Sequence, residues 1–128
     1  MPVQYVIYKE LGLVITTGEG RVTFGECLDV QDRLLSDPNF SPTLNELVHG
    51  ATTTNFDVTA EEARTLATRR MFSPHSKRAF VATRPEIFGM ARLMEVYHEA
   101  HDQGTVRVFH RRDEALKWLG IPENSGLY

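Results

Sequence analysis

Residues 78–120 read RAFVAT (78–83), RPEIFGMARLMEVYHEAHDQG (84–104), TVRVFH (105–110) and RRDEALKWLG (111–120). Arg78 to Thr83 is a short strand with apolar residues on both parities, which suits a strand buried on both faces. Pro85 fits a first helical position, where its missing amide is no loss. Ile87 to His101 has helical spacing and stops near Gly104. Thr105 to His110 is a second strand. Asp113 is placed to cap a last helix that buries Ala115, Leu116, Trp118 and Leu119 before Gly120 ends it. A strand, a long helix and a strand in this order require a parallel pair with the helix packed across it.

Working outward, Val3 to Tyr8 and Leu13 to Thr17 are β-branched and aromatic, and Lys9 to Gly12 joins them as an antiparallel hairpin. Thr23 and Glu26 have the spacing of a capping box. The helix they open carries Phe24, Cys27, Leu28, Gln31, Leu34 and Leu35 on one face and stops before Pro38. Leu44 to His49 is a third strand. The polar stretch GATTTNFDV (50–58) reads as a loop. Thr59 and Glu62 repeat the capping box, and Ala63, Leu66, Ala67 and Met71 form the inner stripe of that helix. The order is β-β-α-β-α-β-α-β-α. Right-handed crossovers then place the crossover helices on one face of a five-stranded sheet with only the first strand antiparallel. The opposite face is expected to have no cover except the tail, and an uncovered face suits a partner.

With 128 residues, the chain has the size of one domain. Its net charge of −3 gives no electrostatic reason to expect nucleic acid. No apolar run reaches the ~20 residues of a membrane span. No signal segment is visible at the N-terminus. The single cysteine, Cys27, excludes an internal disulfide and a cysteine-cluster metal site. A reducing cytoplasm is the expected compartment.

Five groups could carry chemistry. Gly18-Glu19-Gly20 lies where a phosphate loop would, but Thr23 stands where the third glycine is needed, so a tight turn is expected. His98 and His101, near Glu95 and Asp102, have a metal-ligand spacing without a nominated third ligand, and a helix-end histidine on free carbonyls is the expectation. Cys27 lies on an apolar stripe and reads as an inert small hydrophobe. Arg69, Arg70, His75, Lys77 and Arg78 form a basic run, read as a solvated helix end. Thr52, Thr53 and Thr54, with Thr59 opening the next helix, are the candidate interaction or phosphorylation loop. A phosphate there would face a helix N-terminus. With Thr17, Gly18, Arg84 and His110 they should gather at the rim beyond the carboxyl ends of the parallel strands.

The element order, together with FGMARLMEVYHEA (88–100) and VRVFHRRDEALKWLG (106–120), resembles the bacterial SpoIIAA-like proteins of the STAS superfamily, in their uncharacterised branch. The resemblance runs nearly end to end and includes a D-P-x-F segment (Asp37, Pro38, Phe40) and an A-x-x-W-L ending (Ala115, Trp118, Leu119). It implies one SpoIIAA-like domain over 1–128, an α/β right-handed βα superhelix with a five-stranded mixed sheet and four main helices. It also implies a regulatory, protein-interacting module, and since the residues assemble no base, nucleophile or metal set, the module is expected to be non-enzymatic with no cofactor and no metal. Its partner would be another protein, with a homodimer among the assemblies to expect. Some relatives are switched by phosphorylation in a D-S/T-x-G context. That motif is absent from HGATTTNFDVT (49–59). Others are related to Sec14-type lipid-binding domains, which gives the alternative: a small ligand or lipid headgroup at the rim of the parallel strands.

Overall fold

The computed structural model describes residues 2–99 and 104–128. Strand β1 (Val3–Tyr8) turns through a 3-10 segment at Lys9–Leu11 into β2 (Leu13–Gly18), and Gly12 closes that turn at φ 60°. Strand β3 (Gly20–Thr23) leads directly into α1 (Phe24–Leu35). Then come β4 (Asn45–His49), β5 (Thr53–Asp57), α2 (Ala60–Thr68), β6 (Lys77–Val81), α3 (Pro85–Glu99), β7 (Thr105–Phe109) and α4 (Arg112–Trp118).

The main sheet has the order β1-β2-β4-β6-β7, with β1 antiparallel to β2 and every other pair parallel. This is the five-stranded mixed sheet that the residues imply. Both capping boxes form: Thr23 and Glu26 open α1, and Thr59 and Glu62 open α2. The D-P-x-F segment ties α1 to the sheet edge. The Tyr5 hydroxyl donates to Asp37 at 2.8 Å, and Phe40 meets Phe72 edge-on at 5.6 Å. The Asn39 amide and then the Tyr5 hydroxyl bond to the Asp37 carboxylate and hold its pKa below the usual value.

Three expectations are corrected. The stretch after β4 is not all loop: β5 runs parallel to β3 as a second, two-stranded sheet. The two chain segments that pair as β2 and β4 thus stay side by side past their bends at Gly18–Gly20 and Gly50–Thr52. The bend at Gly50 is tight. Its amide donates to the Val81 carbonyl at 2.7 Å, and a Cβ there would stand 2.9 Å from that oxygen.

The sheet face opposite the crossover helices is also covered. Helix α4 lies across β4, β6 and β7. Ala115, Leu116 and Leu119 pack with Ile121 onto Leu13, Ile15, Leu47, Ala79 and Val81. Its β1–β2 margin stays open, where Val6 is 52% exposed. Finally, Asp113 does not cap α4. The N-cap is Arg111, with no side-chain cap, and Asp113 inside the first turn accepts from Arg111 at 2.7 Å.

Candidate functional site

Side chains alternate across a strand, so the second face of each central strand carries the other parity: Val14 and Thr16, Glu46 and Val48, Arg78 and Phe80, Val106 and Val108. Helices α1, α2 and α3 lie over this face. They do not fill it. A cavity of about 130 Å³ remains between the sheet, the β3–β5 pair and the three helices. Its wall is largely apolar and includes Val30, Val48, Phe56, Leu66, Phe80 and Met94.

The cavity carries a charged pair. Arg78 and Glu46 sit side by side on β6 and β4 in the parallel register. Their side chains are 8% and 5% exposed. Arg78 Nε donates to Glu46 Oε1 at 2.8 Å, and Nη2 lies 2.6 Å from the same oxygen. The Thr16 hydroxyl, one strand over on β2, donates to Oε2 at 2.8 Å. The guanidinium also lies 4.7 Å from the Phe72 ring centroid and 5.5 Å from that of Phe80. Removing two charges from water is costly, and hydrogen bonds to both carboxylate oxygens offset that cost.

His98 completes the network from α3. It is 1% exposed, with Nδ1 3.3 Å from Arg78 Nη1 and 3.2 Å from the Ala67 carbonyl oxygen. A protonated Nδ1 donates to Ala67, whereas a bare Nδ1 accepts from Arg78. His98 therefore bridges α3 to α2 and β6. Arg78 is likewise not part of a solvated basic run. Within that run Arg69 pairs with Asp32 at 2.5 Å on the surface. His101 and Asp102 lie outside the described residues. Among the described residues no three His, Cys, Asp or Glu side chains are grouped as metal ligands.

Cys27 lines the cavity, and burial pushes its thiol up to about 12. A thiol held that far from ionisation is a poor nucleophile. Gly18, His49, Gly50, Val81 and Ala82 bring the cavity to the carboxyl ends of β2, β4 and β6. That is the rim at which the sequence places a ligand.

The threonines divide. Thr52 and Thr53 both donate to the Gly18 carbonyl, at 3.0 and 2.9 Å, and Thr53 is buried and lines the cavity. Thr54 is exposed on β5. Thr59 caps α2 beyond the far end of β5. At ~3.3 Å per residue, a five-residue strand separates Thr53 from Thr59 by roughly 16 Å, so the first three threonines do not meet the α2 N-terminus. His110 stacks on Phe88 with ring centroids 4.1 Å apart, on the α3 side of the rim.

Glu46 carries no sequence motif. A glutamate in a strand that also carries Leu47 and Val48 was the available signal, and Arg78 at the start of another apolar strand was its natural partner.

No protein-family model matches the chain. No curated protein does either. Among solved structures, an uncharacterised protein of the DUF3478 family from Shewanella loihica PV-4, described as having a SpoIIAA-like fold, superposes with a TM-score of 0.61. The match covers 91% of each chain at 14% identity. The chain has a SpoIIAA-like fold. Within that SpoIIAA-like frame, the cavity lies on the side of the sheet that the crossover helices cover. No helix among the described residues is long and apolar enough to cross a membrane.

Proposed function

We propose that the protein is a non-enzymatic binding module that takes a small molecule into the cavity under α1, α2 and α3. One observation carries the reading: an apolar chamber reaches the carboxyl ends of three parallel strands, where open α/β sheets hold their ligands. The chemistry of the wall supports a binding role over a catalytic one. Glu46 and Arg78 are committed to each other, and the Cys27 thiol stays protonated. A fragment screen by protein-observed NMR tests the reading. Small apolar fragments should shift the amides of Val48, Phe80 and Ala91, and Ala91→Phe, which fills the chamber, should abolish those shifts while the circular dichroism stays native. A screen without hits at these residues, or hits unaffected by Ala91→Phe, would refute it.

A protein partner in the manner of regulatory SpoIIAA-like modules is a second reading, favoured at one place. The open margin over β1 and β2 presents Val6 beside Tyr8, Ile15 and Thr17, next to the unpaired edge of β1. Such edges pair readily with another chain. A second copy pairing there should give a dimer in sedimentation velocity that Val6→Lys dissociates. A wild-type monomer at all accessible concentrations would remove the homodimer.

A further inference from the structure

The proposed chamber has a composition that restricts what it can hold. Among the described residues lining it, the only ionised side chains are Glu46 and Arg78. They form one ion pair, so their charges cancel. Both carboxylate oxygens of Glu46 already accept hydrogen bonds, Oε1 from Arg78 and Oε2 from Thr16. Arg78 Nη1 faces His98, and two phenyl rings flank the guanidinium. The remaining titratable groups in the wall add no charge near neutrality. Cys27 is held protonated, and burial, followed by the charge of Arg112, keeps the His49 imidazole below its ordinary value of 6.5. His49 also follows Leu47 by two residues and so turns toward the α4 side.

An ionised ligand would bring an uncompensated charge into an apolar enclosure, at the cost of its hydration. An uncharged ligand meets no such cost. Its one hydroxyl could donate to the oxygen of Thr16 or Thr53, whose own hydrogens go to Glu46 and to the Gly18 carbonyl. Size is restricted as well. A protein cavity of roughly 150 Å³ accepts a benzene molecule, and this one has about 130 Å³.

Resting on the binding reading above, we infer that the chamber selects small, uncharged, ring-sized molecules with at most one hydrogen-bonding group, and that it rejects carboxylates, phosphates and ammonium ions of the same shape.

The test uses three probes sharing one ring: benzyl alcohol, benzoate and benzylammonium. Each is titrated into the full chain near pH 7, followed by amide shifts at Val48, Phe80 and Ala91 and by protection of Cys27 from a thiol reagent. Benzyl alcohol should bind at least roughly tenfold tighter than either ion, a difference of about 1.4 kcal/mol. Benzoate binding as tightly as the alcohol would overturn the inference, with Arg78 then acting as an anion anchor and the binding reading intact. Failure of all three probes would overturn the inference and the binding reading together. Glu46→Gln gives a second check. It leaves Arg78 unneutralised, so benzoate should gain on benzyl alcohol by at least tenfold relative to wild type. An unchanged ratio in the folded variant would refute the role of charge. If that variant does not fold, the wild-type ratios alone decide.

Discussion

The two faces of one sheet are built differently. Under α4 the sheet is solid: Leu13, Leu47, Ala79, Ala115 and Leu116 have no exposed surface. Under α1, α2 and α3 the same strands hold an ion pair and an open chamber. The difference is not one of secondary structure, since the strands are shared. It arises because α2 packs on α3 and α1, while β3 and β5 bend away from the main sheet as a separate pair. One face therefore carries the packing that defines the domain, and the other can leave a chamber unfilled.

Substitutions that strike each face in turn can break this comparison. The largest expected effect is on the charged side. Arg78→Ala leaves Glu46 buried without its partner and should cost about 3–5 kcal/mol in chemical denaturation. A loss under ~1 kcal/mol would mean that water reaches the pair freely. Leu116→Ala on the solid side should cost about 2–5 kcal/mol, toward the upper end because no space exists for collapse.

Enlarging a residue separates the faces by sign. Ala79→Leu forces extra atoms into the packed face and should cost roughly 1–3 kcal/mol. Ala91→Leu points into the chamber and should be neutral or stabilise by roughly 0.5–2 kcal/mol, as cavity filling does. Equal costs at both sites would contradict the hollow-face description.

The smallest effect is a pH dependence. His49 is depressed by burial first and by Arg112 second, so its folded pKa lies below the ordinary 6.5. The unfolded chain takes up this proton more readily. Stability from His49 is thus fully present above 6.5 and declines as pH falls through the folded value. Stability curves should show wild type losing more than His49→Gln on acidification from neutrality. Parallel curves would show that His49 does not titrate in this range.

How much of this was legible in the sequence depends on the range of each interaction. The capping boxes at Thr23 and Thr59 and the three crossover helices are local, and local spacing reveals them. β5 was missed because Thr53, Thr54 and Asn55 are polar, and its pairing with β3 comes from a segment more than thirty residues away. The same distance hides the Glu46–Arg78 pair, which a linear reading divided into an unremarked glutamate and a surface cation. His98 was placed on the right helix, but two of its partners lie far off in the chain, on α2 and β6. The candidate threonines were expected at one helix end, and an unsuspected strand spreads them along its length. The carboxyl ends of the parallel strands, which the cavity reaches, follow from topology alone.

The strand order of the main sheet also matches the order of the chain, β1, β2, β4, β6, β7. During synthesis, each new strand therefore meets a neighbour that has already been made, and the sheet grows in one direction like a row laid edge to edge. No strand has to insert between two that are already paired. Helix α4 follows all five of these strands in the chain, so it covers the solid face only after every strand beneath it has been made. Until α4 docks, the apolar surface formed by Leu13, Leu47 and Ala79 faces water, and exposed apolar surface of that kind makes a partly folded chain prone to aggregate.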